Sequence, residues 1–102
     1  MDATNLGNEL IELHDHPRQV PPFSARYPGL TAESGYGAAR RLHAHRITQG
    51  WKMTGRKIGF TNRTLWDRYG VHEPMWGAVY DKTTVFSENG LAKVSLLSLI
   101  HI

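Results

Sequence analysis

The spacing of apolar residues near the start of the chain predicts an amphipathic helix. Three leucines recur at intervals of four and three residues: Leu6, Leu10 and Leu13. This repeat places side chains on one face of a helix. The side-chain oxygen of Thr4 can cap the first turn, and Pro17 is incompatible with further helix. We therefore predict a first helix over residues 4–15.

A second helix is predicted after a proline-rich connector. The connector covers residues 20–28, and we expect it to be extended because its prolines restrict the backbone. Thr31 provides an N-cap for the helix, and Gly50 provides its C-terminal stop. The face predicted to be buried carries four residues at helical spacing: Tyr36, Ala39, His43 and Ile47. Arg46 falls mostly off this face.

The second half of the chain predicts short strands and one short helix. Residues 55–61 are predicted to form a buried strand that carries Lys57 between two glycines. A third, short helix is predicted over about residues 63–69, with Gly70 as its C-terminal stop. Two further short strands are predicted over residues 78–80 and 83–86, joined around Asp81-Lys82.

Lys57 is the first candidate for a functional residue. A lysine is costly to bury in an apolar strand unless another group pairs with it. The flanking residues Gly55 and Gly59 indicate a close approach by a neighbouring backbone or by a ligand. The alternative is a solvated lysine on an edge strand, which the sequence of residues 55–61 alone does not exclude.

The composition fits one small globular domain. The chain has 102 residues, of which 40% are hydrophobic and 10% aromatic. It has no cysteine, which excludes disulfides, thiolate metal ligands and thiol nucleophiles. The net charge of +3 suits an anionic small substrate about as well as nucleic acid. Residues 1–16 have no signal-peptide core and no apolar run is long enough to cross a membrane, so we expect a cytoplasmic location and no membrane partner.

Two histidine pairs and a loosely basic centre have simpler interpretations than metal or nucleic-acid binding. His14 and His16, like His43 and His45, are two residues apart and point in different directions on a helix. We therefore predict no metal ligands in this chain. The basic residues scatter around their helical positions: Arg40, Arg41, Arg46, Lys52, Arg56 and Arg63. A nucleic-acid module would carry such residues on one face, so we predict no nucleic-acid partner.

An ordered set of features links residues 30–90 to a known family. In chain order the features are Leu30-Thr31, Tyr36, Arg46, Gly50, the run Gly55-Arg56-Lys57-Ile58-Gly59-Phe60-Thr61, Gly70-Val71, Pro74, Gly77 and Asp81. With this set the chain resembles the hydratase/decarboxylase branch of the fumarylacetoacetate hydrolase superfamily. Members of that branch include the 2-keto-4-pentenoate hydratases and the 4-oxalocrotonate decarboxylases.

The resemblance implies that Lys57 is catalytic. In the family, the lysine of the Lys-Ile-Gly motif lies beside a divalent metal, usually Mg²⁺ or Mn²⁺, that chelates a 2-oxo acid. A lysine beside the resulting dienolate can move a proton or hold negative charge. The resemblance further implies that Thr61, Trp76 and Asp81 bind the substrate or shape its site.

The function implied by the resemblance is that of a hydro-lyase. Such an enzyme adds water to a small anionic 2-hydroxy-2,4-dienoate of the 2-keto-4-pentenoate type, giving a 4-hydroxy-2-oxo acid in aromatic catabolism. A 4-oxalocrotonate-type decarboxylase is an alternative, because it shares the fold, the metal and the dienolate intermediate. The other alternative is a non-catalytic basic interaction module or a partner-dependent subunit. The full-length enzyme is expected to be a homo-oligomer.

The predicted fold class is an incomplete α+β fold. We expect an N-terminal helical part followed by the first short strands of a fumarylacetoacetate-hydrolase-like fold. Residues 1–29 are assigned to the N-terminal helix and connector, and residues 30–93 to the N-terminal portion of the hydratase-like domain. The family's metal-binding carboxylates lie downstream of Asp81 and are not matched here, since the remaining sequence has Glu88 alone. We therefore expect this fragment to be inactive by itself.

The last residues of the chain form an apolar run that we assign separately. Residues 94–102 resemble the translation of an adapter used in sequencing libraries, and we predict that they are not native sequence. The alternative is an edge strand over residues 93–102. Such a strand would be exposed and apolar with little charge, which favours aggregation.

Overall fold

The computed structural model describes residues 3–94, which divide into a helical unit and a strand-containing unit. The helical unit comprises residues 3–50 and 85–94 of the described chain, and the second unit is Trp51–Thr84. Helices together with a two-stranded sheet confirm the predicted class, an incomplete α+β fold. The predicted boundaries after residues 29 and 93 stay predictions. Apart from Val94, the predicted adapter-derived segment lies outside the described residues.

The helical unit is built on two helices that pack against each other. Helix α1 is Ala3–Asp15 and helix α3 is Ala32–Thr48, as the apolar spacing predicts. The Thr31 side chain accepts a hydrogen bond from the backbone N–H of Ser34 at 3.1 Å, which confirms the predicted N-cap. Leu6 and Ala38 are buried where the helices pack.

The connector between these helices is predicted to be extended, but part of it is helical. Helix α2, Phe23–Arg26, forms one turn directly after Pro22. Side chains fix this turn to α1, because Arg26 and the hydroxyl of Tyr27 each donate a hydrogen bond of 2.5 Å to the Glu9 carboxylate. A proline that precedes a helical turn has no N–H to satisfy and a backbone already suited to the helix. Both hydrogen bonds favour the turn over an extended segment.

The packed face of α3 differs from the predicted one. Arg46, which we placed mostly off that face, is buried, whereas Ile47 is 46% exposed. A guanidinium nitrogen of Arg46 donates to Asp15 at 2.8 Å and to Gln49 at 2.9 Å. The pattern of α3 alone could not show this, because the acidic partner lies at the end of α1.

The second unit contains a β-hairpin-like pair of strands with a helical connection. Strand β1, Met53–Gly59, pairs antiparallel with strand β2, Met75–Tyr80. Between them lie a 3₁₀ turn, Arg63–Leu65, and helix α4, Trp66–Tyr69. Gly70 ends α4 with φ of 67°, a left-handed conformation that favours glycine. The predicted third helix is therefore confirmed.

Two strand predictions need correction. Strand β1 is exposed along nearly its whole length rather than buried, because this sheet has two strands and the described part of the unit does not cover it. The predicted strand over residues 83–86 is wrong. Asp81–Thr83 forms a 3₁₀ turn instead, and the hydroxyls of Thr83 and Thr84 both donate to the Tyr80 carbonyl. These hydroxyls satisfy a backbone group that a strand would have paired.

The close approach of α1 and α3 predicts a clear effect of substitution at Gly7. A Cβ atom there would lie 2.6 Å from Arg41 Cβ, so Gly7→Ala should lower the free energy of unfolding by about 1–3 kcal/mol. Gly35→Ala in α3 is the matched control. A Cβ at Gly35 meets nothing within 4 Å, so that change should raise stability by up to about 1 kcal/mol. Urea unfolding followed by circular dichroism compares them, and equal effects of the two would contradict the tight helix contact.

Candidate active site

The pairing register of the two strands decides which residues share a face around Lys57. Lys57 lies directly opposite Gly77, and Ile58 lies directly opposite Trp76. Directly opposite residues project to the same face of a sheet, and neighbours along a strand project to opposite faces. Lys57 and Trp76 are therefore on opposite faces of this sheet.

The nearest neighbours of Lys57 on its face of the sheet, along β1 and directly across on β2, are all glycines. Lys57 is exposed, and its Nζ donates a hydrogen bond of 2.7 Å to the backbone carbonyl of Ile58. Gly55 and Gly59 lie on the same face along β1, and Gly77 lies opposite on β2. The side chains of Met75 and Val79, on either side of Gly77, share this face. No ion pair among residues 3–94 involves Lys57. The ammonium group thus keeps two N–H donors and open space around it.

Trp76 forms part of a separate, shallow surface. The Arg56 guanidinium lies 5.0 Å from the centre of its ring, a cation–π contact. A shallow hollow of about 240 Å³ is lined by Arg56, Ile58, Pro74, Met75 and Trp76. Ile58 and Trp76 are 59% and 48% exposed, so this face presents apolar surface beside a positive charge.

Asp81 fastens the ends of the two strands together. Its carboxylate accepts backbone N–H groups of Lys52 and Lys82, both at 2.9 Å, and its own N–H donates to the Lys52 carbonyl at 2.9 Å. The hydrogen bond from the Lys52 N–H, followed by that from Lys82, holds the pKa of Asp81 below its ordinary value of 3.8. The family resemblance implies that Asp81 belongs to the substrate site, but no pattern in the sequence indicates its hydrogen bond to Lys52, a residue far away in the chain.

The lowered pKa of Asp81 predicts how the strand ends respond to acid. The carboxylate form is favoured in the folded state, so its contribution is present above the ordinary pKa of 3.8 and is lost as the pH falls through the lower folded pKa. Carbon-13 NMR of the Asp81 carboxyl group should show a titration midpoint below 3.8. In Asp81→Ala, the Lys52 amide should exchange its hydrogen faster at neutral pH. A midpoint at or above 3.8 would contradict the hydrogen bonds.

Thr61 lies just beyond the end of β1, where the backbone turns sharply. Phe60 has a φ of 57°, a left-handed conformation that is uncommon for a bulky residue. The indole N–H of Trp66 donates to the Phe60 carbonyl at 2.9 Å, and the rings of Phe60 and Tyr69 meet edge to face. These contacts stabilise the turn that ends β1 at Gly59 and leave Thr61 exposed. No periodic pattern in the sequence indicated this turn.

The described residues do not fit a divalent metal. Within residues 3–94, no group of three or more histidine, aspartate or glutamate side chains is arranged to hold a metal ion. A hard cation such as Mg²⁺ requires several oxygen ligands around one point.

Among residues 3–94, none of the helices has the length and apolar character needed to span a membrane.

Comparisons with known proteins relate this chain to enzymes that are much longer. No family model matches it. It is 31% identical over 84 residues to a 2-hydroxypent-2,4-dienoate hydratase of Pseudomonas putida, which covers 79% of this chain and 38% of the relative. It is 29% identical over 84 residues to a 2-keto-4-pentenoate hydratase of Paraburkholderia xenovorans, covering 82% of this chain and 30% of the relative. The chain thus spans about a third of these relatives.

A solved structure shares the fold. A 4-oxalocrotonate decarboxylase of Pseudomonas putida, complexed with magnesium and adipate, superposes with a TM-score of 0.72 at 18% sequence identity. The match covers 79% of this chain and 31% of that chain. The chain therefore has part of the α+β fold of this larger enzyme. Together with the sequence matches, this relates the chain to the 2-keto-4-pentenoate hydratase and 4-oxalocrotonate decarboxylase branch of the fumarylacetoacetate hydrolase superfamily.

Proposed function

We propose that this chain is part of an enzyme that adds water to 2-hydroxy-2,4-dienoates in aromatic catabolism. The observation that carries the proposal is Lys57, an exposed ammonium group whose nearest neighbours on its strand face are glycines and which donates a hydrogen bond to one backbone carbonyl. The proposal is supported by relatives named as hydratases of such dienoates. The substrate is a small anionic acid, and the proposed location is the cytoplasm.

The role proposed for Lys57 follows from its surroundings. Its hydrogen bond to the Ile58 carbonyl leaves two N–H donors for a substrate oxygen. When negative charge develops on a dienolate, a nearby ammonium stabilises it, and it can also supply a proton. The glycines on this face leave room for the substrate to approach, which a bulky strand would prevent.

The other predicted residues are given supporting roles. Asp81 has a carboxylate that already accepts two backbone N–H groups, so we propose that it shapes the site by holding the strand ends together. Thr61 follows the turn at the end of β1 and is proposed to reach the substrate from there. Trp76 projects from the other face, so we propose that it acts on the Lys57 site through the position of β2.

A divalent metal is part of the proposal, but not of the chemistry assigned to these residues. Mg²⁺ or Mn²⁺ would supply positive charge to a bound 2-oxo acid. Within residues 3–94, no group of side chains is arranged to hold such an ion. We therefore propose that its ligands come from polypeptide outside this part of the chain. The chain alone is then expected to be inactive, and the complete enzyme is proposed to be a homo-oligomer.

Decarboxylation of 4-oxalocrotonate is the second candidate function. It is favoured by the structural likeness to a 4-oxalocrotonate decarboxylase. Both reactions form a dienolate, so the same lysine could serve either one, and fold alone does not separate them.

A hybrid enzyme tests the proposal and separates the two reactions. Residues 1–90 of this chain replace the matching third of the Pseudomonas putida hydratase, and the hybrid is assayed with Mg²⁺. Loss of 2-hydroxypenta-2,4-dienoate absorbance supports hydration, whereas CO₂ release from 4-oxalocrotonate supports decarboxylation. A hybrid that retains the near-ultraviolet circular dichroism of the parent but catalyses neither reaction would contradict the proposal and favour a non-catalytic role.

A further inference from the structure

We propose that Gly77 determines which substrates reach Lys57, because its missing side chain leaves the space beside the ammonium group open. This inference rests on the proposed function. Gly77 is paired directly with Lys57 across the two strands. Any side chain at position 77 would therefore project to the same face as Lys57 and stand next to it.

The described structure gives no conformational reason for a glycine at position 77. The φ of Gly77 lies outside the left-handed region. A Cβ atom added there would meet no heavy atom within 4 Å. A glycine within a strand weakens the strand, and it often marks a place where a ligand or another backbone comes close. The absence of a side chain at Gly77 is thus better explained by what approaches this face than by contacts within the described residues.

The position of the Lys57 side chain shows which of its sides is open. Its Nζ donates to the Ile58 carbonyl and lies 3.8 Å from the place of a Cβ at Gly59. The side chain therefore leans along its own strand, while the space over Gly77 stays empty. A flat 2-oxo or dienoic acid that reaches Nζ across β2 lies over Gly77, and a larger residue there would displace it.

Reductive labelling of the full chain measures this access. The Lys57 amine adds to the C2 carbonyl of 2-oxopentanoate, water leaves to give an imine, and cyanoborohydride delivers hydride to C2. The product is a carboxybutyl-lysine, which peptide mass spectrometry quantifies at each lysine. Lys52 and Lys82 are exposed lysines of the same unit and serve as internal references. Formaldehyde with the same reductant is the small probe.

The expected result separates steric exclusion from a general change of structure. Gly77→Leu should lower 2-oxopentanoate labelling of Lys57 about tenfold relative to Lys52 and Lys82, with Gly77→Ala in between, while formaldehyde labelling is unchanged. Ile58→Leu, on the other face, is the control and should not alter either, because it keeps the backbone carbonyl that accepts from Lys57. Equal 2-oxopentanoate labelling in Gly77→Leu overturns the inference, and so does an equal loss with both probes.

The two proposals fail in different ways. An unchanged labelling ratio in Gly77→Leu contradicts the role of Gly77 while leaving the hybrid enzyme's turnover unaffected. A folded hybrid without turnover, in which Gly77 is intact, contradicts the proposed function.

Discussion

Lys57→Ala is expected to lower the turnover of the hybrid hydratase by at least about 100-fold, the usual scale for losing a group that transfers a proton. Lys57 is the lysine whose nearest neighbours on its strand face are glycines, and its ammonium is the group proposed to meet the dienolate. Loss of dienoate absorbance with Mg²⁺ measures the effect. Lys52→Ala and Lys82→Ala are the matched controls, because these residues bind Asp81 through backbone N–H groups that alanine keeps.

A second substitution tells the two possible roles of Lys57 apart. Arginine keeps the positive charge but does not release a proton in proteins. Turnover rescued by Lys57→Arg would indicate that the residue holds negative charge, whereas turnover as low as that of Lys57→Ala would indicate proton transfer. A Lys57→Ala hybrid with full turnover would contradict the assignment, provided that both lysine controls are active.

Asp15→Ala is expected to destabilise the helical unit by about 1–3 kcal/mol, the usual cost of leaving a buried donor without its acceptor. Arg46 is 7% exposed and donates to Asp15 at 2.8 Å, so the change removes a carboxylate from a buried guanidinium. Arg46→Met should cost less, because it removes the buried charge and keeps much of the volume. Urea unfolding measures both variants, and the reverse order of the two would contradict this account.

An exposed ion pair in the same unit provides the control for Asp15. Arg18 and Glu12 form an ion pair at 2.6 Å in which both side chains are about half exposed. Arg18→Ala should therefore change stability by less than about 1 kcal/mol. A loss as large as that of Asp15→Ala would show that burial of Arg46 does not explain the difference.

Acid should weaken the Asp15–Arg46 contact in the same sense as the alanine substitution. The hydrogen bond from Arg46 holds the pKa of Asp15 below its ordinary value of 3.8. The contribution of Asp15 to stability is therefore present above 3.8 and is lost as the pH falls through the lower folded pKa. The difference in stability between the original chain and Asp15→Ala should shrink over that range.

Several local features could be predicted from the sequence because short-range chemistry controls them. Thr31 caps α3 through its own hydroxyl, and Gly70 ends α4 in a left-handed conformation that glycine adopts without strain. The leucine repeat of α1 predicted its range to within one residue. The family resemblance also rested on local motifs, chiefly the run around Lys57.

Contacts between distant parts of the chain could not be predicted in this way. The burial of Arg46 depends on Asp15, and the carboxylate of Asp81 is held by the N–H of Lys52. Neither pair has a sequence signal, because no periodicity relates residues on different elements. The exposed face of β1 was likewise mispredicted, since the pattern of a strand does not reveal how many neighbours it has.

The sequence by itself determined the two long helices, the ends at Thr31 and Gly70, and the position of Lys57 between two glycines. The tertiary structure alone decided that Lys57 faces Gly77 and that Trp76 projects from the other side. The reason is that strand alternation fixes faces only within one strand. The relation between two strands depends on their pairing register, and a shift by one residue would move Trp76 to the face of Lys57.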